Sequence, residues 1–235
     1  MKSKFFSIIP ARIGSKGIPK KNLYPLLGKP LIQWTIESSM NSDYILDTVV
    51  SSDSDEILSL GELFGAISHK RNQTLSNDAA RTEDVIENIL EELNFLKDKF
   101  DYFVLLQPTS PLRTSEHINL ACKKILDSKS DSLISVKETP NGVLKTLIAD
   151  DKGGLKSGFN KDFPFVPRQE LPQTFMANGA IYISKISSFI ENKSLLSKNN
   201  SFIIMDDASS HDIDKAEDIK KVTSILEKDD NKQKF

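Results

Sequence analysis

The chain has 235 residues, 38% hydrophobic and 27% charged, enough for one sizeable α/β core with at most an inserted subdomain. Lysine and arginine (31) nearly balance aspartate and glutamate (33), so the basic excess of a nucleic-acid binder is missing. A single cysteine, Cys122, excludes an intrachain disulfide; with no apolar run long enough to span a membrane and no signal-peptide layout, the expectation is a cytoplasmic protein.

The first expected element is a buried strand over Lys4–Ile9, built on Phe5, Phe6, Ile8 and Ile9 and stopped by Pro10. A glycine- and lysine-rich loop follows, carrying Arg12, Lys16, Lys20 and Lys21 with no acidic residue among them. Gly14 and Gly17 allow a tight turn and close backbone approach to a ligand, and backbone N–H groups in such a turn can point at an anion. A Walker A loop is excluded because the lysine lies between the glycines. The dinucleotide fingerprint fails because no third glycine arrives before Gly28. The loop therefore reads as a polyphosphate grip of another design, or else as a basic surface turn.

A helix is expected over Pro30–Met40, with Leu31, Ile32, Ile36 and Met40 on one side. A strand over Thr48–Ser51 ends at Ser52-Asp53, and Asp53 with Glu56 signals a helix start. Lys70-Arg71 lead into a polar loop ending at Asn77-Asp78; Arg71 reads as a phosphate or base ligand or as an ordinary surface arginine. Val85, Ile86, Ile89, Leu90, Leu93 and Leu96 recur at helical spacing over Thr82–Leu96. The apolar run Tyr102–Leu106 is a strand whose exit, Gln107–Arg113, is stiffened by two prolines. Gln107 offers both a donor and an acceptor, which suits a base edge or a sugar amide, though by itself the segment reads first as a proline-rich strand-to-helix turn with Thr109 or Ser110 capping. A helix over Thr114–Leu126 places Cys122 in the core, and Ser132–Val136 is a strand. From 137 to 174 prolines and glycines break the pattern, too long a stretch for a simple connection. Strands at Gly179–Ser184 and Phe202–Met205 and a helix from about Lys215 complete the chain, with a charged tail at 229–235.

Alternating strands and helices predict an α/β fold with a doubly wound, mainly parallel sheet. Residues 1–136 and 175–228 form its nucleotide-binding domain, and 137–174 form an insertion. In such sheets ligands sit beyond the carboxyl ends of the strands. The first loop, Ser52-Asp53, Gln107–Arg113 and Met205–Asp214 all fall there. Asp212 and Asp214, spaced i, i+2, suit a hard cation such as Mg²⁺ that takes a few carboxylates plus phosphate oxygens. Asp214 also has a structural reading as a helix cap, with Glu217 at capping-box spacing, and Asp206 and Asp207 read as a solvated turn. His69, His117 and His211 lack zinc-ligand spacing. Two other classes share these features: a glycosyltransferase using Asp212-Ile213-Asp214 as a D-x-D motif, and a non-catalytic nucleotide-binding protein.

The segments IPARIGSKGIPKKN, LLQPTSPLR, PRQELPQTF, NGAIYI and SSHDID occur in an order that resembles the acylneuraminate cytidylyltransferases, from about Phe6 to about Asp218. The resemblance implies condensation of CTP with a nonulosonic acid, giving the CMP-sugar and pyrophosphate, with Mg²⁺ and as a homodimer. It implies phosphate contacts from Arg12 and Lys21, nucleotide seating by Ser15 and Asn22, and Arg71 and Thr82 near the cytidine. It implies sugar contacts from Gln107, Asn178 and Tyr182, and metal ligation by Asp212 and Asp214. Lys145 and Arg168 would lie on a dimerisation arm, the insertion, reaching over the partner's site. One departure concerns the sugar: Met176-Ala177 stands where a member of the family carries Arg-Pro. A neutral Met176 fits acids with acylamino groups, such as legionaminic acid, alongside N-acetylneuraminate. The eight-carbon Kdo cytidylyltransferases share the fold but carry a different first loop.

Overall fold

The structure, a computed structural model, describes residues 3–77 and 79–232. Asp78 of the expected polar loop and residues 233–235 of the expected tail lie outside the described residues.

Strand β1 (Phe5–Pro10) is buried on both faces, as its apolar run, interrupted only by the buried Ser7, requires. Phe5 and Ile9 face one apolar cluster, while Phe6 and Ile8 face another. After the first loop, the short pair β2 (Pro25–Leu26) and β3 (Lys29–Pro30) turns the chain into α1 (Leu31–Met40). Then come β4 (Ile45–Ser52), α2 (Asp55–Leu63), β5 (Ile67–Lys70), α3 (Thr82–Glu92) and α4 (Phe95–Lys99). Strand β6 (Tyr102–Leu106), α5 (Ser115–Ser128) and β7 (Ser132–Thr139) lead to the insertion. The insertion holds a small antiparallel hairpin, β8 (Leu147–Ala149) with β9 (Leu155–Ser157). The chain returns through β10 (Thr174–Lys185), α6 (Ile186–Asn192), β11 (Asn200–Ile204) and α7 (Ala216–Lys232).

Seven strands make one sheet in the order β11-β7-β10-β6-β1-β4-β5. All neighbours are parallel except β10, which runs antiparallel to both β6 and β7. Helices α1, α2 and α5 supply the cluster on one face (Ile32, Ile36, Ile57, Ile118, Cys122, Ile125). Helices α3 and α6 supply the other (Val85, Ile86, Ile89, Phe189). The fold is therefore doubly wound. Each such side chain contributes about 1.5–3 kcal/mol on burial. A third, smaller cluster joins Ile18 of the first loop, Leu112, Ile213 and Val222 of α7. It packs the first loop against the segment that carries the aspartate pair.

Several expected elements are corrected. The helix expected over Thr82–Leu96 stops at Glu92 and restarts at Phe95, because Leu93 leaves helical geometry. The helix expected to start at Asp53 begins at Asp55 behind Ser54. The strand expected over Gly179–Ser184 runs from Thr174, because the return leg of the insertion pairs with the extended end of β7. Helix α7 continues to Lys232, past the expected boundary at 228. Cys122 is buried, which pushes its thiol pKa strongly up. Among the described residues no helix is long and apolar enough to cross a membrane.

Candidate active site

A cleft of about 320 Å³ opens at the carboxyl ends of the parallel strands, between the first loop, the residues after β5 and the turn after β6. Seven residues singled out from sequence line it: Arg12, Ser15, Lys21, Asn22, Arg71, Thr82 and Gln107.

The first loop is tied down along its length. Ala11 N donates to Ser51 O (2.9 Å), joining the loop to the end of β4. Ile13 N donates to Asp53 Oδ1 (2.8 Å), so the carboxylate read as a helix start instead anchors the loop. The buried Asn22 donates from Nδ2 to Arg12 O (2.7 Å), fixing the backbone that carries the Arg12 side chain. Lys20 takes a left-handed conformation, φ 50°, where the chain turns into the short 3-10 turn Lys21–Leu23. Lys21 Nζ donates to Ile213 O (2.8 Å) and Asp214 Oδ1 (3.0 Å), bridging the loop to the aspartate segment. Gly17 sits against the same segment: a Cβ there would lie 2.1 Å from Asp214 O. Its glycine is required by this close approach.

Arg71, the alternative surface arginine, is buried, with 6% exposure. Its Nη2 donates to Ser51 O (2.7 Å), and its Nη1 to Leu75 O (3.3 Å). Nε is buried with no protein partner. Burial pulls its pKa down to about 10, opposed by Asp53 and reinforced by Arg12. Two guanidinium groups thus sense each other across the cleft, an arrangement that an anionic ligand would relieve.

The aspartate segment lies at the edge of this cleft. Ile213 N donates to Thr109 O (2.8 Å) beside the turn after β6, and Ile213 itself is buried in the third cluster. Asp212 Oδ1 is buried without a hydrogen-bond partner. Burial raises the Asp212 pKa; a hydrogen bond from Thr109 and the charge of Lys21 oppose this, while Asp214 adds to it. The expected capping role of Asp214 falls to another residue. Asp218 Oδ2 accepts from Asp214 N (2.9 Å) and Lys215 N (2.7 Å) at the start of α7.

Asn178 and Tyr182 lie on β10, where the register against β7 shifts between Ala177 and Tyr182. Asn178 Oδ1 accepts from Ser135 Oγ (2.6 Å) and Ala180 N (3.2 Å), and Nδ2 donates to Ser210 Oγ (2.9 Å). Its carboxamide therefore holds the aspartate segment from below. The Tyr182 hydroxyl pKa is raised by burial and then by the charge of Asp212. Met176 is 55% exposed on the extended part of β10. Lys145 and Arg168 belong to the insertion, and neither they nor Met176, Asn178, Tyr182, Asp212 and Asp214 line the cleft itself. Nothing in the sequence marks Asp53 as a loop anchor. Nor does any periodicity mark Arg113, which is fully buried below the cleft.

The profile of the cytidylyltransferase family matches residues 6–219. The chain is 33% identical over its whole length to an N-acylneuraminate cytidylyltransferase of Escherichia coli, but spans only 55% of that protein. It is 34% identical over 90% of its length to a CMP-N,N'-diacetyllegionaminic acid synthase of Legionella pneumophila, spanning 91% of it. A solved CMP:2-keto-3-deoxy-manno-octonic acid synthetase complexed with CTP superposes on 97% of this chain, all of it matched, with TM-score 0.72 at 17% identity. That likeness concerns the fold.

Proposed function

The chain belongs to the cytidylyltransferase family, and from that premise we propose that it condenses CTP with a nonulosonic acid to give the CMP-sugar and pyrophosphate. The observation that carries this reading is the convergence of Arg12, Lys21 and Arg71 on one cleft beside an aspartate segment. Relatives named for N-acylneuraminate and diacetyllegionaminate support the sugar class.

In this reading Arg12 and Lys21 bind triphosphate oxygens, aided by Ser15 and by Asn22 through its hold on Arg12. Arg71 and Thr82 flank the cytidine. The anomeric hydroxyl oxygen of the sugar acid bonds to the α-phosphorus while the bond from that phosphorus to the bridging oxygen breaks. Pyrophosphate leaves and the hydroxyl proton is released. Catalysis of this kind is largely positioning and charge neutralisation. Asp212 and Asp214 fit Mg²⁺: Asp212 Oδ1 is an orphaned buried oxygen, and a hard cation accepts such a ligand. Among the described residues no group of three or more His, Cys, Asp or Glu side chains converges. The remaining ligands would therefore come from phosphate and water. When bound, Mg²⁺ supplies charge neutralisation and alignment of the phosphates.

Gln107 and Tyr182 face the sugar acid, and Asn178 contributes mainly by holding Ser210. The neutral Met176 favours acylamino substituents over a group that would need a cation. Lys145 and Arg168 act on a partner's site, in a homodimer built on the insertion. The exposed Leu147, Ile148, Leu155 and Phe159, with Phe165 at 85% exposure, support an arm that completes its burial against a second copy. The test is pyrophosphate release from CTP and Mg²⁺ with a panel of nonulosonic acids. Turnover with at least one is expected. No turnover with any, together with transfer from a nucleotide sugar, would move the assignment to a glycosyltransferase.

A further inference from the structure

We infer that Arg113 is a positioning residue: it pins Gln107 against the β10 turn and so sets the wall of the cleft that faces the sugar acid. The inference rests on the proposed reaction for its kinetic readout, and on packing for its geometry.

Arg113 is 1% exposed and heads the largest fully buried side chains. Nη1 donates to Gln107 O (3.2 Å) and to Ala180 O (3.3 Å), and Nη2 donates to Ser38 Oγ of α1 (3.3 Å). Nε is buried with no partner. Among the described residues no carboxylate pairs with it, and burial alone draws its pKa down to about 9. An apolar side chain of similar volume would serve the core better, because a buried charge facing only neutral oxygens is costly.

What the guanidinium does is join three elements at one point. One nitrogen holds both the exit of β6 and β10 within its irregular stretch, between Ala177 and Tyr182. The neighbouring residue on β10, Gly179, has φ +78°, and a Cβ there would lie 3.2 Å from Gln107 Oε1. Gln107 is thus held through its carbonyl by Arg113, and its carboxamide oxygen lies where any side chain at 179 would crowd it. A lysine has no planar fork with which to reach both carbonyls and Ser38.

The test is a double-mutant cycle of Arg113→Lys with Gln107→Ala. Arg113→Lys should lower kcat/KM for the sugar acid about ten- to a hundredfold, with the KM for CTP unchanged. In the Gln107→Ala background it should add little. Additive losses, or equal losses toward CTP and sugar acid, would overturn the inference. If Arg113→Lys folds poorly, Ser38→Ala, which removes only the α1 anchor, takes its place in the same cycle. A crystal structure of Arg113→Lys, or of Ser38→Ala in its place, reads the claim without turnover: Gln107 should shift off Gly179, and an unmoved Gln107 would overturn it. Absence of turnover in the parent protein would count against the cytidylyltransferase reading alone.

Discussion

Gly17 and Lys21 show how closely the first loop depends on the aspartate segment. Gly17→Ala would drive a methyl group to 2.1 Å from Asp214 O, so backbone must move. Overpacking of this kind costs about 1–3 kcal/mol. A lowered melting temperature together with a raised KM for CTP is expected; an unchanged KM would separate the loop from triphosphate handling. Arg12→Ala and Lys21→Ala each remove a charge-assisted contact of about 1.5–3 kcal/mol, or roughly ten- to a hundredfold in CTP affinity. Lys21→Ala should also lower the melting temperature modestly, because its side chain is mostly buried and loses the bond to Ile213 O as well as the exposed Asp214. Asp214→Asn is informative because Asp218 already serves the start of α7. Activity and Mg²⁺ affinity should fall while the melting temperature holds; full activity would leave Asp212 as the sole carboxylate. At this scale the cationic loop was legible because charge density and glycine spacing are local properties. Asp53 and Arg113 were not, because their partners lie 40 and 67 positions away in Ile13 and Ala180.

Strand β5 carries His69 almost fully buried, its Nδ1 paired with Ser51 Oγ (2.9 Å) and its Nε2 3.3 Å from Glu92. Nε2 is buried and makes no hydrogen bond. Burial dominates and lowers the His69 pKa from 6.5; Glu92 opposes this, and Arg71 reinforces it. With a depressed folded-state pKa, the unfolded chain takes up the proton first as pH falls through about 6.5, so stability is lost toward acid. The melting temperature should therefore fall between about pH 7 and about pH 5, with His117 and His211, also lowered by burial, contributing. His69→Gln should make that decline shallower, as calorimetry across the range would show; an unchanged slope would remove His69 from the account. Strand β5 itself was illegible in the sequence, since Ile67-Ser68-His69-Lys70 has one apolar residue and no period to detect. The antiparallel course of β10 was equally hidden, because direction follows from the path of the insertion and leaves no mark on the strand's own residues.

The whole molecule is a doubly wound sheet that gathers four loops at one end, and this much followed from the order of elements along the chain. The insertion is the part whose role depends on a second copy. Sedimentation at micromolar concentration should give a dimer, and Phe165→Asp, on the most exposed large apolar side chain among the described residues, should shift it toward monomer and lower activity. A parent protein that stays monomeric would remove Lys145 and Arg168 from the sugar site. The central claim is tested most directly by phosphorus NMR of the protein with CTP, Mg²⁺ and single nonulosonic acids. One phosphodiester signal of a CMP-sugar should grow in step with pyrophosphate. CTP that persists unchanged with every acid, under conditions where it binds, would contradict the account.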